Sequence, residues 1–479
     1  MSRRIFSAGL WSAFDLGSRF GIQFVVSIIL ARLLSPEEFG IYALTAIFVA
    51  LSGVLVDGGF STALIQRREV DRAAETAVFQ YNLLVASGMA AIIVAIAPSM
   101  ARIYGYPVLQ PLLYCSAGIV LVNALGAVPG ALLNRRMEFS KLARAGLSSS
   151  MAGALAGVSA AVAGLGIWSF PIATGTSGAV QALATWWLSG WRPRWRFNLK
   201  PAREMVGFGS LLTVSGVLEV GYSSGYPLVI ARLYGASDVG FYNRGQALQA
   251  LPSSVISGIV QRVLLPVLSA KADDAGALKQ GAKAAVATSM LFTVPLMLFL
   301  GLFSELVIEV LYGSKWTPAA PILTILALSG ALFPLHVINL QILLALGRAD
   351  WFFKVEIIKK LIGLTMVVIG SFFGIVGLAT GQMIFTILAF FVNAHPSARL
   401  IAYPWREQLR DVARIVLVAV VTTGLVRLLA PALPWSDLIN LIVLAALAGC
   451  SFAGAALLFR VGPARDLVNI VLGERLSKG

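Results

Sequence analysis

Apolar runs of about 20 residues follow one another along nearly the whole chain and restrict it to a membrane-embedded fold. A run of that length crosses about 30 Å of hydrocarbon as an α-helix. The composition of the 479 residues, 58% hydrophobic and 12% charged, exceeds what a soluble core buries. We therefore predict an all-α polytopic membrane protein with about 14 transmembrane helices. The predicted spans are 8–33, 40–64, 77–100, 111–133, 142–164, 168–190, 205–231, 240–265, 284–309, 319–346, 355–374, 376–394, 411–430 and 437–459.

A stretch at the end of the first span returns 200 residues later without a gap. Ile29–Tyr42 reads ILARLLSPEEFGIY and Val229–Tyr242 reads VIARLYGASDVGFY, so alanine, arginine, leucine, glycine and tyrosine recur in register. Six predicted spans separate the copies, and an even number keeps both in the same orientation. We predict two parallel six-helix lobes in pseudo-twofold repeat, followed by two C-terminal helices. The predicted boundaries are an N-lobe at 1–190, a basic cytoplasmic linker at 191–204, a C-lobe at 205–400, and the last two helices with a cytoplasmic tail at 401–479.

The net charge of +15 is distributed as an orientation signal. Basic residues crowd into alternate loops, as at Arg135, Arg136 and Lys141, whereas the intervening loops carry few. By the positive-inside rule the basic loops and both termini are predicted to be cytoplasmic. We therefore expect a multi-pass protein of the bacterial cytoplasmic (inner) membrane, and we attribute the charge to orientation rather than to nucleic acid binding.

Few ionisable side chains fall inside the predicted spans, and a charge at mid-bilayer costs about 2.5–3.5 kcal/mol. Asp15, Arg19 and Gln23 share one face of the first span, and the 200-residue offset places Glu219 opposite Arg19 in the repeat. One interpretation is a hydrated cavity in which Arg19 binds a phosphate group and Glu219 carries a coupling proton. The other is an ion pair of Arg19 with Asp15 or Glu219, and the sequence leaves both open. The candidate cavity side chains here are Arg19, Gln23, Glu219, Tyr222 and Tyr226.

Asp57 is a further candidate for ion coupling, together with Asp15 and Glu219. Gly58 and Gly59 follow it directly and would loosen the helix end, which exposes the carboxylate to a cavity. A proton and a sodium ion both remain open as the coupling ion.

Three further features lie in other spans, two of them polar and one a pair of glycines. Arg244 with the neighbouring Asn243 favours binding of an anionic headgroup, with a snorkelling arginine as the alternative. His336 favours either a proton relay or a hydrogen bond between helices. Gly153 and Gly157, four positions apart, predict a close helix contact.

Catalytic signatures are absent from the sequence, which contains no phosphate-binding loop, zinc-ligand spacing or nucleophile elbow. Cys115 and Cys450 are its two cysteines and offer no disulfide framework. We expect no catalytic residue, no metal and no cofactor, and a transporter rather than an enzyme.

Three segments carry a family resemblance, namely Gly9–Leu44, Asp57–Arg67 and Leu133–Lys141. They resemble the bacterial polysaccharide transporters of the multidrug/oligosaccharidyl-lipid/polysaccharide (MOP) flippase superfamily, and especially the colanic acid and O-antigen flippases. The similarity runs the whole length of the chain.

The resemblance implies two six-helix lobes around a central cavity that opens to each side in turn. It implies that undecaprenyl-diphosphate-linked oligosaccharides move from the cytoplasmic to the outer leaflet, with Arg19 and Arg244 pairing with the diphosphate. We further expect a monomer that passes its product to a polysaccharide polymerase or export complex.

Two other functions compete with a flippase. A drug or organic-cation antiporter of the same superfamily would favour a cavity of carboxylates and aromatic rings. A membrane-embedded glycan polymerase or ligase would need a sizeable outer loop, whereas the largest predicted one, around 304–321, is short. Proton coupling, sodium coupling and consumption of the product outside all stay open as driving forces.

Overall fold

Helices are the regular structure of the part of the chain that the structure describes. In the computed structural model, the described residues are 2–60, 64, 71–193, 206–459 and 461–464. The chain divides into two compact units, Met1–Gly240 and Phe241–Gly479, called unit 1 and unit 2. The predicted linker 191–204 falls largely outside the described residues, so the predicted domain boundaries stay predictions.

Unit 1 consists of helices α1 to α8 and the first residues of α9. The bounds are α1 Ser2–Leu33, α2 Pro36–Asp57, α3 Arg72–Tyr104, α4 Leu109–Arg135, α5 Phe139–Val162, α6 Ser169–Ser189, α7 Val206–Ser223 and α8 Gly225–Leu233.

The sequence fixes the start and end of α2 through local hydrogen bonds. Ser35 Oγ accepts a hydrogen bond from the Glu38 N–H at 3.2 Å, and the Glu38 carboxylate accepts one from the Ser35 N–H at 2.8 Å. Pro36 occupies the first turn, where no N–H is needed. The helix ends at Asp57 because Gly58 adopts the left-handed conformation, with φ of 52°.

Unit 2 continues α9 and holds eight further helices in the described residues. The bounds are α9 Ala236–Ser269, α10 Ala275–Leu302, α11 Ser304–Tyr312, α12 Ala320–Gly330, α13 Phe333–Ala345, α14 Ala349–Gly370, α15 Gly374–Ile401, α16 Trp405–Leu429 and α17 Asp437–Leu458. Apolar side chains of α10, α13, α15, α16 and α17 form its core.

Nine stretches among the described residues are helices long and apolar enough to cross a membrane. They confirm the predicted all-α polytopic membrane fold. Fourteen spans in total stay a prediction, since other helices, such as α14, do not meet the same criteria over the described ranges.

Two predicted spans are each built from two shorter helices. The span 205–231 breaks at Ser224, between α7 and α8, and the span 319–346 breaks at Ala331 and Leu332, between α12 and α13. A proline stands in the first turn after each break, Pro227 in α8 and Pro334 in α13. Because proline has no N–H to donate, it fits a first turn and interrupts a continuous helix.

The predicted glycine seam is confirmed as the contact of α5 with α6. A Cβ at Gly153 would lie 2.7 Å from the Ala173 carbonyl oxygen, and one at Gly157 would lie 2.6 Å from the Ala173 Cβ. Neither site has room for a side chain, so the two glycines allow the helices to approach closely. Ser149 Oγ adds a hydrogen bond to Gln181 Oε1 at 2.9 Å across the same contact.

Candidate functional site

The Arg19 guanidinium lies at the contact of α1 with α5 and is half-buried. Its Nη2 donates a hydrogen bond to the Leu142 carbonyl oxygen at 3.4 Å. The guanidinium fills the space above Gly146, where a Cβ would overlap it. The backbone of α5 therefore fixes the position of this cation near the middle of the predicted first span.

The other candidate cavity side chains, on the first span and on its counterpart in the second copy of the repeat, differ in exposure. Gln23 and Glu219 are exposed, Tyr222 is half-buried, and Tyr226 is 5% exposed. The helix break at Ser224 separates the two tyrosines, so they belong to α7 and α8. The Asp15 side chain lies outside the described residues, and the pairing of Arg19 with Asp15 or Glu219 stays a prediction.

Asp57 lines a small cavity between α2 and α4. The cavity measures about 140 Å³ and is also lined by Asn123, Val49 and Val120. Gly58 and Gly59 both have positive φ, 52° and 73°, so α2 ends directly after Asp57, before the predicted end of this span at residue 64. Asp57 is half-buried and shares the lining of this cavity with Asn123, while its role in ion coupling stays a prediction.

The two copies of the repeated motif contact each other inside unit 1. A Cβ at Gly40 would overlap the Ala236 carbonyl, and a Cβ at Gly240 would overlap the Pro36 carbonyl. Pro36 and Ala236 are equivalent residues, each four positions before the glycine of its own copy. The glycine of each copy therefore contacts the equivalent residue of the other copy. This exchange is the contact pattern of a twofold axis, and we call the four residues the glycine crossing.

A tyrosine from a connecting segment closes the glycine crossing. Tyr106, between α3 and α4, accepts a hydrogen bond from the Ala236 N–H on its hydroxyl at 2.9 Å. This N–H is the first of α9 and has no acceptor within the helix. The recurrence of glycine in register was the sequence signal for this contact, but it did not reveal which backbone each glycine approaches.

The recurrent tyrosine of each copy bonds to a later helix of its own unit. In unit 1, the Tyr42 hydroxyl lies 3.0 Å from Thr174 Oγ1 of α6, and its ring stacks on Phe170 at 4.6 Å. In unit 2, the Tyr242 hydroxyl donates to Gln382 Oε1 of α15. The motif thus combines a glycine that contacts the other copy with a tyrosine that holds its own helix in place.

Arg244 lies on α9 within unit 2, next to the half-buried Asn243. Its guanidinium carbon stands 5.9 Å from the centre of the Tyr312 ring, at the end of α11. An aromatic face stabilises a partly buried cation by about 0.5–2 kcal/mol. Arg244 is therefore held inside unit 2 by a packed ring.

His336 joins two helices of unit 2. Its Nδ1 lies 2.9 Å from Asn393 Nδ2 on α15, and its ring meets Phe390 edge to face at 6.5 Å. The interpretation of a hydrogen bond between helices is therefore confirmed. The alternative role of His336 as a proton relay stays a prediction.

A buried polar network connects α13, α15 and α16 near their basic ends. Asn339 and Gln408 exchange two hydrogen bonds, of 2.8 and 3.0 Å, and Ser397 donates to Asn339 Oδ1 at 2.6 Å. Gln408 also donates to the Tyr403 carbonyl oxygen at 3.1 Å, and the Tyr403 hydroxyl donates to Asp411 at 2.9 Å. Burial and the hydrogen bond to Asp411 raise the pKa of Tyr403, so this hydroxyl stays protonated.

Charged side chains extend this network to the protein surface. Glu407 accepts hydrogen bonds from Lys279 at 2.7 Å and Lys283 at 2.9 Å, and Lys283 lies 3.3 Å from Asp411. These side chains are one-fifth to one-third exposed, so solvent screens them. They join the N-terminal parts of α10 and α16.

Replacement of Gln408 by leucine is expected to lower the stability of the detergent-purified protein by about 1–3 kcal/mol. The substitution removes the two hydrogen bonds that the Asn339 amide exchanges with Gln408 and leaves this buried amide with Ser397 and the Leu335 carbonyl oxygen alone. The lost bonds no longer offset the desolvation of the amide. The neighbouring substitution Glu407→Gln removes only solvent-screened ion pairs with Lys279 and Lys283, so it should lower the stability by less than about 1 kcal/mol. Thermal unfolding of both variants measures the difference in stability. Equal losses would contradict the conclusion that the buried Asn339–Gln408 network, rather than the surface ion pairs, stabilises this contact of helices.

Metal-binding clusters and disulfides do not occur over the described ranges. No three His, Cys, Asp or Glu side chains there come together in a way that would hold a metal ion. Cys115 and Cys450 are free and exposed, and both lie in helices long and apolar enough to cross a membrane, where an exposed side chain faces lipid.

Comparison with known proteins identifies the family. Residues 29–321 match the family described as "Polysaccharide biosynthesis protein", a range that contains both copies of the motif and the glycine crossing. The chain belongs to this family. The resemblance to polysaccharide transporters found in the sequence is therefore confirmed.

Two relatives of this polysaccharide biosynthesis protein, and one solved structure of a different protein, show how far the similarity extends. The succinoglycan biosynthesis transport protein ExoT of Rhizobium meliloti (strain 1021) is 30% identical over 68% of this chain and 66% of its own length, just under two thirds. The lipopolysaccharide biosynthesis protein WzxC of Escherichia coli (strain K12) is 25% identical over 83% of this chain and 82% of its own length. The lipid II flippase MurJ, in an inward closed conformation, superposes with a TM-score of 0.78 at 16% identity, over 96% of this chain and 99% of that chain. At that identity the likeness shows a shared fold.

Proposed function

We propose that the chain is a flippase for undecaprenyl-diphosphate-linked oligosaccharide repeat units. It moves them from the cytoplasmic to the outer leaflet during synthesis of an exopolysaccharide, a capsule or a lipopolysaccharide. The match of residues 29–321 to the polysaccharide biosynthesis family carries the proposal. The names of its relatives support it, since ExoT is a succinoglycan transport protein and WzxC a lipopolysaccharide biosynthesis protein. The chain is a multi-pass membrane transporter, not an enzyme.

Two cations supply the chemistry that a diphosphate needs during its passage. A diphosphate in bare hydrocarbon faces a prohibitive desolvation cost, which paired guanidinium groups offset. Arg19 is fixed above Gly146 and Arg244 against the Tyr312 ring, so both are positioned before a substrate arrives. The lipid tail stays in the bilayer while the sugar and diphosphate cross.

The proposed location is the cytoplasmic membrane with both termini cytoplasmic. Arg406, Arg410 and Arg414 lie exposed along one face of α16, and the same face continues with exposed Leu417 and Leu425. A face that changes from arginine to leucine along a helix suits the passage from inner headgroups into hydrocarbon. The chain acts as a monomer in this proposal and passes its product to a polymerase or export complex.

Deletion of the gene is expected to trap completed lipid-linked repeat units in the inner leaflet. The repeat units should resist a membrane-impermeant glycosidase in intact cells and become sensitive after permeabilisation. Reintroduction of the intact gene should restore outer-leaflet units and surface glycan. Truncated repeat units would instead indicate an assembly enzyme, and unchanged glycan with new drug sensitivity would indicate a drug antiporter.

A further inference from the structure

One buried atom of a hydrogen-bonded pair in unit 2, Asn393 Oδ1, has no hydrogen-bond partner. In the same pair, His336 Nδ1 and Asn393 Nδ2 lie 2.9 Å apart. An amide nitrogen only donates, so His336 Nδ1 accepts and the proton of the neutral ring sits on Nε2. Buried groups without partners are rare in native proteins and call for a physical explanation.

The pair lies at a helix break inside a predicted span. His336 occupies the first turn of α13, directly after the interruption at Ala331 and Leu332, and Asn393 is fully buried on α15. The backbone of Thr386 lies beside the imidazole. Interrupted helices at membrane depth provide backbone groups that bind ions and substrates in transporters.

Polar side chains extend from this pair in both directions through unit 2. Toward the basic side, Ser397 lies one turn beyond Asn393 and donates to Asn339, which bonds in turn to Gln408. Toward the opposite side, Gln382 accepts the hydrogen bond from Tyr242. Asn393 therefore lies on α15 between Gln382 and the Ser397–Asn339–Gln408 network, which continues through Tyr403 to Asp411.

Charged and titratable groups reach His336 from the packed helices at a limited set of places. Lys359 of α14 acts electrostatically on the imidazole and forms an ion pair with Glu356. α15 carries no acidic or basic residue between Gln382 and Asn393. The other titratable side chains of the helices packed against α13 are Lys279 and Lys283 on α10, Asp350, Lys354 and Lys360 on α14, and His395 and Arg399 at the end of α15.

We propose that His336 binds a coupling proton during transport. The inference rests on the proposed flippase function and adds its energy source. A proton from water adds to the Nδ1 lone pair, which makes both ring nitrogens donors. The Asn393 amide then rotates and presents Oδ1 to Nδ1–H, so the oxygen that lacks a partner gains one.

This rotation has a route to the helices that carry the polar network. Asn393 and Ser397 are one turn apart on α15, and Ser397 bonds to the Asn339–Gln408 pair that holds α16. Protonation therefore biases the packing of α13 and α15 against α16. A ligand shifts a conformational equilibrium toward the state that it binds more tightly, so a proton that bonds to the rotated amide favours the rearranged packing.

Transport by the full chain in proteoliposomes tests the proposal. The probe is a short-chain polyprenyl diphosphate that carries a fluorescent disaccharide, and its movement is followed by quenching with an impermeant reductant. Under a pH gradient of one sign, the wild-type rate should rise about tenfold over the rate without a gradient. His336→Gln should show the same rate in both conditions, and His395→Gln, which changes the other histidine of the chain, should match the wild type.

A second variant and a direct measurement keep the test decisive if His336→Gln does not fold. Asn393→Asp places a carboxylate beside the ring, which favours the imidazolium and should move the half-maximal rate to higher pH. In a His395→Gln background, His336 is the remaining histidine, so its ¹⁵N signals report protonation of this ring alone. A ring that stays neutral throughout the pH range of gradient-driven transport would overturn the proposal.

The outcomes separate this inference from the proposed function. If the wild type flips the probe at the same rate under pH gradients of either sign and without one, proton coupling is overturned and the flippase function still stands. Gradient-driven flipping that persists in His336→Gln overturns the role of His336. A wild-type chain that does not move the probe overturns the flippase proposal, and proton coupling falls with it.

Discussion

Replacement of Arg19 by glutamate is expected to lower transport by at least about 100-fold while the protein still inserts into the membrane. The substitution removes a charge-assisted donor set worth about 3 kcal/mol and puts an anion where the diphosphate is proposed to pass. Surface glycan in a complemented deletion strain measures transport, and the amount of protein in the membrane fraction measures insertion. Normal surface glycan in the Arg19→Glu strain would eliminate this residue from the site.

Two milder variants separate the charge of Arg19 from its position. Arg19→Lys keeps the charge but loses the planar fork, so we expect a loss of about tenfold. Gly146→Ala leaves Arg19 unchanged but fills the space that the guanidinium occupies, so it should also impair transport. Gly88→Ala is the matched control, because nothing lies within 4 Å of the added carbon on exposed α3. If Gly146→Ala behaves like this control, the position of Arg19 is not fixed by α5.

The sequence predicted the membrane fold because hydrophobic length is a property of each segment by itself. The count of spans did not divide two of them into shorter helices, since hydropathy treats Pro227 and Pro334 as ordinary members of an apolar run. The missing N–H of proline at those points decides the break. One of these breaks holds His336, so local backbone chemistry determined where an unusual buried group lies.

The candidate site was predictable only where a residue is unusual in its own environment. Arg19 could be found because a cation within a span is costly. Its contacts on α5 could not, because Leu142 lies 123 positions away and no periodic pattern relates the two. The same reason hid Asn393, 57 positions from His336, and the pairing of each repeated glycine with a carbonyl of the other copy.

Replacement of Gly240 by alanine is expected to separate the ends of α2 and α9 and to reduce transport. The added Cβ overlaps the Pro36 carbonyl, which belongs to the backbone and cannot rotate away. Overpacking of this kind costs about 1–3 kcal/mol, enough to shift a conformational equilibrium about 5- to 150-fold. Cross-linking between Glu37→Cys and Ser237→Cys, with Cys115 and Cys450 replaced by alanine, reports the separation as a lower yield.

The exchange of contacts at the glycine crossing makes a second, more demanding prediction. Gly40→Ala should reproduce the effect of Gly240→Ala, because its Cβ meets the Ala236 carbonyl in the equivalent position of the other copy. Either substitution alone opens the contact, so the double variant should lose less than the sum of both. Gly88→Ala should gain the stability that alanine gives a helix, up to about 1 kcal/mol, and keep the full cross-linking yield. If Gly40→Ala and Gly240→Ala reduce transport and cross-linking to different extents, the two copies of the motif do not make equivalent contacts. A full cross-linking yield in both variants would show that the glycine crossing does not hold these helix ends together.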